Sequence, residues 1–482
     1  MRIAALIKQI PAFEEMTIGA DGRLVRDGRE PEMNPYCRRA VAQAVALAAD
    51  GGHACTFLTL GPPPAEDVLR EAIAWALERG VAADGVLVSD PAFAGSDTLA
   101  TAKALVAALV RTGPFDLVLT GRNSVDADTG QVGPQVAQLL GLPFLPAVRT
   151  FVLDGDTVRA HCETDDGAFA ATARVPVVCA TAERLIDPCK VPPAERAAVG
   201  SERLRTITAA ELGSGPWGQA ASPTWVGETR TVASTRLGAV LTDRPELAAR
   251  EAVAILAERG AFTAAADDPG AVPPRGATTG PAVAVVVEPE RLHEAREQLG
   301  AAAVLASEIG GHVVALRSAA DDADDVALGS WGADRVVVFA GIDLEEDVAR
   351  VLADWVRAVE PWAVLAPSTT RGREVAARIA AAVGAGLTGD AVDLDVADGR
   401  LVAWKSAFGG QTVVAIHCTT PTQMATVRVG VLPTRVARVG AAPAVEEWFG
   451  EARSRVLVAD RTRDDDLDVL AEAAVVVGIG RG

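Results

Sequence analysis

The sequence is short of aromatic and sulfur-containing side chains. Only 4% of its 482 residues are aromatic, with a single tyrosine, and its six cysteines form neither a C-x-x-C pair nor a cysteine–histidine spacing typical of metal sites. Neither a disulfide framework nor a structural zinc site is therefore indicated. We interpret the cysteines as buried free thiols in a reducing compartment. They are Cys37, Cys55, Cys162, Cys179, Cys189 and Cys418.

Long apolar segments and clusters of positive charge are also missing. The apolar run within Met1–Lys8 is too short for a signal peptide, and no later run is long enough to span a bilayer. The formal net charge is −19, without a concentrated group of lysines and arginines, which argues against nucleic-acid binding. We therefore predict a cytoplasmic protein with no membrane span and no nucleic-acid partner.

Several catalytic and nucleotide-binding signatures do not occur in the sequence. No G-x-G-x-x-G follows the first predicted strand, and no G-x-x-x-x-G-K-[ST] is found. The five histidines are scattered, and we interpret them as structural. The acidic runs at 321–325 and 464–468 lack metal-loop spacing and are interpreted as solvated faces or helix starts. The remaining pattern favours binding of a small nucleotide, held largely by backbone groups, over covalent catalysis.

The first half contains a regular alternation of apolar strands and amphipathic helices. Strands are predicted at Ile3–Ile7, Ala54–Leu60 and Val86–Val88, separated by helices at about Cys37–Ala49 and Ala65–Arg79. Crossovers of helical length join parallel strands. The pattern predicts an α/β fold of the Rossmann-like, three-layer α/β/α kind, with a mostly parallel sheet. Further elements are predicted as a hairpin within Glu15–Arg29 and extended chain at Trp225–Leu241.

The stretch Thr120–Gly141 lies where such folds bind ligands. An apolar strand predicted at Phe115–Leu119 precedes a polar loop, and a helix is predicted to begin at Val132. Free amides at a helix N-terminus favour phosphate. The pattern alone leaves two interpretations open: a nucleotide-binding loop, or a plain helix N-terminus capped by Asp128 or Thr129.

The second half repeats the plan of the first. A linker rich in proline, glycine, threonine and charge occupies Ala264–Gly280. Beyond it, Trp362–Gly372 and the helix that follows repeat the pattern of Thr120–Gly141 about 245 residues later, which indicates a duplicated α/β unit. We predict two homologous domains at 1–263 and 282–432, joined by a linker at 264–281, with 433–482 as a connection toward a further domain.

Eight short motifs in the sequence are distinctive. In the first half they are Ile7–Pro11, Met33–Tyr36, Ser96–Ala100 and Asp126–Pro134. In the second half they are Ala366–Arg373, Ala385–Asp390, Ala407–Gln411 and Pro421–Arg428. These motifs resemble the electron transfer flavoprotein family over nearly the whole chain. The first half is similar to the β subunit and the second half to the N-terminal domain of the α subunit, so the chain resembles a β–α fusion of the adenine nucleotide α-hydrolase-like fold.

The resemblance implies an adenine nucleotide in the β-like half, either AMP or, as in bifurcating members, a second FAD. The nucleotide positions of the family fall on the predicted strand ends, the first helix start and the polar loop. They are Leu6, Asn34, Pro35, Tyr36, Cys37, Leu60, Gly121, Asn123, Ser124, Val125, Asp126, Asp128, Thr129, Gly130, Gln131 and Val132. Phe13 falls where the family often places an aromatic side chain near the flavin ring.

The resemblance also implies where the electron-carrying FAD is held. In the family it sits mainly in the C-terminal domain of the α subunit, which begins near a Gly-Arg-Gly, and this sequence ends at Val477–Gly482. We expect the FAD-binding domain to be missing, because the sequence is a shortened form or because a separate domain supplies it. Arg481 is then the one retained flavin contact. The loop Asp187–Ala194 lacks the anchoring leucine and lysine-rich run of the family's docking loop, which argues against acyl-CoA dehydrogenases as partners.

The implied function is that of an electron carrier between flavin dehydrogenases and an acceptor, acting by proximity of flavins. The alternative is a nucleotide-binding scaffold that seats a separate FAD-binding domain and is not itself redox active. A third reading, an ATP-using enzyme of the α-hydrolase-like fold, is disfavoured because the Ser-Gly-Gly phosphate loop of such enzymes is missing after the first strand.

Overall fold

The computed structural model describes residues 1–12, 31–231, 237–242, 244–262, 269–289, 291–319, 323–407, 410, 412–439, 442–464, 470, 473 and 475–478. These residues form two ten-stranded sheets with helices packed against them. The predicted α/β class with mostly parallel sheets is confirmed. The hairpin predicted within Glu15–Arg29 lies outside the described residues.

The first half of the chain builds most of one sheet and a two-stranded ribbon. Its strands are β1 (Arg2–Leu6), β2 (Gln9–Pro11), β3 (Pro31–Met33), β4 (Ala54–Leu60), β5 (Ala83–Val88), β6 (Leu117–Gly121), β7 (Phe144–Asp154), β8 (Thr157–Glu163), β9 (Gly167–Arg174), β10 (Val177–Thr181), β11 (Leu204–Ile207) and β12 (Thr224–Thr231). Its helices are α1 (Pro35–Gly51), α2 (Glu66–Glu78), α3 (Thr98–Thr112), α4 (Val132–Leu140), α5 (Pro193–Ala197), α6 (Ala209–Leu212) and α7 (Pro245–Glu258). The ribbon pairs β2 with β3, directly before α1.

The second half builds most of the other sheet. Its strands are β13 (Ala282–Val286), β14 (His312–Ser318), β15 (Arg335–Ala340), β16 (Ala363–Pro367), β17 (Gly386–Ala397), β18 (Arg400–Ala407), β19 (Thr412–Cys418), β20 (Gln423–Val427), β21 (Ala444–Phe449) and β22 (Val456–Arg463). Its helices are α8 (Leu292–Ile309), α9 (Asp325–Trp331), α10 (Glu345–Val359) and α11 (Thr370–Val383).

The two sheets have the same strand order. The first is β11-β5-β4-β1-β6-β10-β7-β8-β9-β22, and the second, read in the same direction, is β21-β15-β14-β13-β16-β20-β17-β18-β19-β12. Strand β1 therefore corresponds to β13, and β6 corresponds to β16. One plan is used twice, and positions in one half can be compared directly with positions in the other.

The last strand of each sheet comes from the other half of the chain. Strand β12 pairs antiparallel with β19, which places a first-half segment at the edge of the second sheet. Strand β22 pairs antiparallel with β9, at the edge of the first sheet. The boundaries predicted at 263 and 432 follow the sequence repeats. Each sheet, however, includes one strand from beyond those boundaries.

The central strands are apolar along their length because both faces of each sheet are covered. In β1, Ile3 and Ala5 belong to one cluster of buried side chains, and Ala4 and Leu6 belong to another. Strand β13 is likewise buried at all five residues and contributes to two clusters. Continuous apolar strands of this kind are typical of parallel sheets between two layers of helices. The predicted three-layer arrangement is confirmed.

Some element ends differ from the predictions for local reasons. Helix α1 begins at Pro35, because proline is favoured in a first helical turn, and is followed by Gly52 in the left-handed region with a φ of 62°. Strand β6 begins at Leu117 rather than Phe115, and it ends at Gly121 rather than Leu119. Gly121 is therefore part of the sheet edge.

All six cysteines are buried, as predicted. Within the described part of the chain, no helix combines the length and the hydropathy needed to cross a membrane.

Candidate functional site

Most of the predicted site residues come together at one edge of the first sheet. Strand β1 lies between β4 and β6, and the three parallel strands end side by side at Leu6, Leu60 and Gly121. Helix α1 begins next to them at Pro35. The carboxyl ends of parallel strands are where open α/β sheets bind ligands. The sequence-based grouping of these segments is therefore reproduced in space.

Asn34 ties three of these segments together. Its side chain is fully buried and does not cap α1. Instead, its Nδ2 donates to the Asn123 carbonyl oxygen at 2.8 Å, and its Oδ1 accepts from the Val125 amide at 3.2 Å. Its own backbone amide donates to the Lys8 carbonyl oxygen at 2.9 Å. A buried amide with these partners fixes the polar loop against the end of β1 and the start of α1.

Gly121 allows α1 to approach β6 closely. A Cβ atom at this position would lie 2.8 Å from the Tyr36 carbonyl carbon and 2.9 Å from the Cys37 amide nitrogen, which is closer than real Cβ contacts. The N-terminal turn of α1 therefore rests directly on the sheet edge. Burial raises the pKa of the Cys37 thiol, so this residue stays protonated and is not an activated nucleophile.

Lys8 connects the end of β1 to the polar loop. Its Nζ donates to Ser124 Oγ at 2.9 Å and to the two carboxylate oxygens of Asp126 at 2.7 and 2.8 Å. Ser124 also donates to Asp126 through its hydroxyl. The nearly buried Asp126 carboxylate is thus paired and hydrogen-bonded. The predicted nucleotide-binding set omits Lys8, although a lysine directly after a central strand is a signal that could have placed it there.

The polar loop contains a run of backbone donors that have no acceptor among the described residues. Asp128, with a φ of 43°, accepts from Asn123 Nδ2 at 2.7 Å, and Gly130 has a φ of 64°. Within the described chain, no group accepts a hydrogen bond from the amides of Thr129, Gly130 or Gln131. Successive free amides in such a conformation form a concavity suited to an anion.

The predicted capping residues of α4 are wrong. The residue that caps α4 is Gln131, and its side chain makes no capping hydrogen bond. Neither Asp128 nor Thr129 fills that role, because the helix begins only at Val132. The first amides of α4 therefore stay available next to the free amides of the loop.

Gln131 reaches from the loop into the other half of the chain. It is buried, and its Oε1 accepts from Thr98 Oγ1 at 2.6 Å. Its Nε2 donates to the Leu387 carbonyl oxygen on β17 at 3.4 Å. The loop between β6 and α4 is thus packed against the second half, a contact that resemblance to a β subunit alone does not predict.

The second half differs at the corresponding place. The β6–α4 connection spans ten residues, 122–131, whereas the β16–α11 connection has two, 368–369. Two residues after β13 stands Glu288, where Lys8 stands two residues after β1. The two copies therefore have a basic and an acidic side chain at the same point of the sheet edge.

Glu288 occupies the start of α11. It is buried and accepts a hydrogen bond from Oγ1 of Thr369, and that oxygen in turn accepts from the Gly372 amide at 2.9 Å. Burial raises the pKa of Glu288 to about 7, although the Thr369 hydrogen bond and the charges of Arg371 and Arg291 oppose the rise. A protein carboxyl group thus lies beside the first turn of α11 and is joined to it through the Thr369 hydroxyl.

Two predicted flavin contacts cannot be placed. Phe13 and Arg481 lie outside the described residues. The other predicted site residues are all described, and they lie in the strand ends, the first turn of α1 and the β6–α4 loop.

A family model described as "Electron transfer flavoprotein domain" matches residues 21–212 and 277–449 of the chain. The chain is 34% identical over 264 residues to an electron transfer flavoprotein subunit beta of Thermoanaerobacterium thermosaccharolyticum, covering 54% of this chain and 97% of that protein. It is 37% identical over 179 residues to the acryloyl-CoA reductase electron transfer subunit gamma of Anaerotignum propionicum, covering 36% of this chain and 65% of that protein. It is 35% identical over 184 residues to protein FixA of Azorhizobium caulinodans, covering 36% of this chain and 64% of that protein.

Proposed function

The chain belongs to the electron transfer flavoprotein family, and on that premise we propose that it is an electron carrier with an adenine nucleotide bound in its β-like half. It passes electrons between flavin dehydrogenases and an acceptor. A flavin supplies the redox chemistry when bound, and the chain binds and orients the cofactor. The similarity to a reductase electron transfer subunit and to FixA supports a flavin-dependent reductase or dehydrogenase as partner.

One observation carries the nucleotide assignment: the loop amides of Thr129, Gly130 and Gln131 have no acceptor within the described chain. A phosphate group would accept from them and from the start of α4. The two acidic side chains of the loop are already engaged, Asp126 with Lys8 and Asp128 with Asn123. The residues present therefore fit an AMP phosphate or the corresponding phosphate of a second FAD.

The contrast between the halves supports placing the nucleotide in the first half. The second copy has a shorter loop, and the carboxyl group of Glu288 fills its helix start. We propose that the chain seats a FAD-binding domain, which holds the electron-carrying FAD. The alternative function is that of a scaffold that seats such a domain and is not itself redox active.

The direct experiment is to purify the protein, denature it and identify the released nucleotide by chromatography and absorbance. Released FAD supports the electron carrier. AMP alone supports the scaffold or a carrier that lacks its FAD-binding domain. Release of no adenine nucleotide would refute the proposed site.

A double variant, Asn34→Ala with Gln131→Ala, tests the site residues. We expect its nucleotide content to fall well below that of the wild type, because the loop loses its two buried amide anchors. The half-exposed Gln138→Ala on α4 is the matched control and should keep its nucleotide. Unchanged content in the double variant would show that the site is assigned wrongly.

A further inference from the structure

Positive side chains of the second half lie against the polar loop of the first. They are Arg373 on α11, Lys405 on β18 and Arg428 just after β20, and we call them the cationic cluster. Arg428 and Arg373 both pair with Asp390, the latter at 3.4 Å between Nη2 and Oδ1. Arg373 Nη1 also lies 3.8 Å from Asp128 Oδ1 in the polar loop. The cluster therefore spans the junction between the halves.

Lys405 is held beside the free amides of the loop. Its Nζ donates to the Gly389 carbonyl oxygen at 2.6 Å. Gly389 packs so tightly on the loop that a Cβ atom there would lie 2.8 Å from Gln131 Nε2 and 3.3 Å from Thr129 Cα. The backbone at Gly389 thus lies between the Lys405 ammonium group and the loop segment 129–131, whose amides have no acceptor in the described part of the chain.

The cluster carries more positive than negative charge. Three cations face two carboxylates, those of Asp128 and Asp390. Burial lowers the pKa of Lys405 to about 8; the charges of Asp390 and Asp128 oppose this shift, and those of Arg373 and Arg428 reinforce it. An anion bound beside Lys405 would reverse that shift.

We propose that the nucleotide site is shared between the two halves, and that Lys405 with Arg373 supplies the positive charge that neutralises the nucleotide's phosphate group. The first half offers backbone amides for this task, while its own Lys8 is engaged by Asp126. The cations of the second half add the charge that amides lack. This inference rests on the proposed function, since it concerns the same nucleotide.

The test compares AMP with adenosine, which lacks the phosphate. Equilibrium dialysis with each labelled compound is carried out on the full chain freed of bound nucleotide. We expect Lys405→Gln to bind AMP about tenfold more weakly, since one charged hydrogen-bond partner is lost, and to bind adenosine as the wild type does. Lys405→Arg should keep AMP affinity. The exposed Lys103→Gln on α3 is the control for a lost positive charge and should behave as the wild type.

The pH dependence gives a second readout. Wild-type affinity for AMP should fall as the pH rises from 7 to 9, because Lys405 loses its proton in that range, and the affinity of Lys405→Arg should stay level. If Lys405→Gln does not fold, Arg373→Gln is used in the same comparison and should weaken AMP selectively.

The outcomes separate the two proposals. If the wild type binds AMP and Lys405→Gln binds AMP with the same affinity, the shared site is overturned and the proposed function still stands. If Lys405→Gln loses affinity for AMP and adenosine equally, the shared site is also overturned, because such a result would mean a structural role for Lys405. If the wild type releases no nucleotide and binds neither compound, the proposed function itself fails.

Discussion

Lys8 and Glu288 hold the same position in the two copies of the fold, with a basic side chain in one and an acidic side chain in the other. Lys8, just after β1, donates a hydrogen bond from its Nζ to the loop residue Asp126. Glu288 instead accepts from Thr369 at the start of the following helix. The first copy, with Lys8, therefore keeps backbone donors available to a phosphate. The second copy has the carboxyl group of Glu288 at the start of its helix instead.

Gly121→Ala should loosen the nucleotide site from the helix that supports it. The added Cβ would lie within 3 Å of the backbone of Tyr36 and Cys37, which are part of α1 and cannot yield as a flexible side chain would. We expect a loss of about 1–3 kcal/mol in the free energy of unfolding, together with reduced nucleotide content. Chemical denaturation measures the first effect.

The control for this substitution is Gly215→Ala. An added Cβ there would meet only the ring of Trp217, at 3.3 Å and beyond. Its free energy of unfolding should change by less than about 0.5 kcal/mol. Equal stability of the Gly121→Ala variant and the wild type would mean that α1 does not rest on Gly121 as described.

Glu288 should make stability depend on pH. Its pKa is about 7 in the folded protein and about 4.3 in an unfolded chain. Between these values the folded form holds the extra proton, so the free energy of unfolding should fall as the pH rises from 5 to 7.5. In Glu288→Gln the decrease in the free energy of unfolding over this pH range should be smaller, by up to about 3 kcal/mol.

Denaturant unfolding at pH 5, 6 and 7.5 measures the slope for both proteins. The groups facing Glu288 are Thr369, Arg371, Arg291 and Asp165, and they are unchanged in the variant. Exposed Glu78→Gln on α2 controls for the loss of one surface carboxylate. An identical slope in Glu288→Gln and the wild type would contradict a protonated Glu288.

The sequence could predict some site residues and not others. Asn34 and Gln131 each lie within a short continuous motif, so resemblance alone indicates them. Arg373 lies beside the loop, and Lys405 is linked to it through Gly389, only because the two halves pack together. Arg373 ends the motif Ala366–Arg373, but nothing in the local sequence places either cation beside the loop, and a comparison with a β subunit by itself omits the second half altogether.

At the scale of elements, periodicity predicted the buried strands and amphipathic helices well because both signals are local. The predicted strand at Ala54–Leu60 matches β4 residue for residue. Pairing between distant segments was not predictable in the same way. Extended chain was expected over Trp225–Leu241, which includes β12, but nothing in that stretch indicates β19 as its partner. Strand β22 is mostly exposed and carries little apolar signal.

Removing β22 should weaken the first sheet. A chain that ends at Gly450 loses the partner of β9, exposing that edge and the buried Phe169. We expect faster hydrogen exchange of the β9 amides and a lower melting temperature, because exposed edge strands lose both hydrogen bonds and apolar contacts.

A chain that ends at Asp464 keeps β22 and is the matched control. It should exchange its β9 amides as slowly as the full chain does. Equal protection of β9 in both shortened chains would mean that β22 contributes nothing to the first sheet, contrary to its antiparallel pairing.

At the scale of the whole molecule, the halves meet through side chains that are buried at their junction. Arg378 on α11 is 1% exposed, lies over the ring of Phe144 on β7 and pairs with Glu374 at 2.9 Å. Burial raises the pKa of Glu374 to about 7, and the charge of Arg378 opposes the rise. With the exchanged strands and the cationic cluster, this contact makes the halves parts of one structure rather than independent domains.

A chain divided within the linker tests that interdependence. Residues 1–266 and 267–482, produced together as two polypeptides, should copurify in equal amounts and retain nucleotide, because β12 and β22 still complete the opposite sheets. Each polypeptide made alone should be poorly soluble or melt well below the intact chain. As a control, shortening the first polypeptide to 1–220 removes β12 and should weaken the association. If instead each half alone were monomeric with the melting temperature of the full chain, the exchanged strands would be additions to complete domains, and a nucleotide site shared across the junction would lose its structural basis.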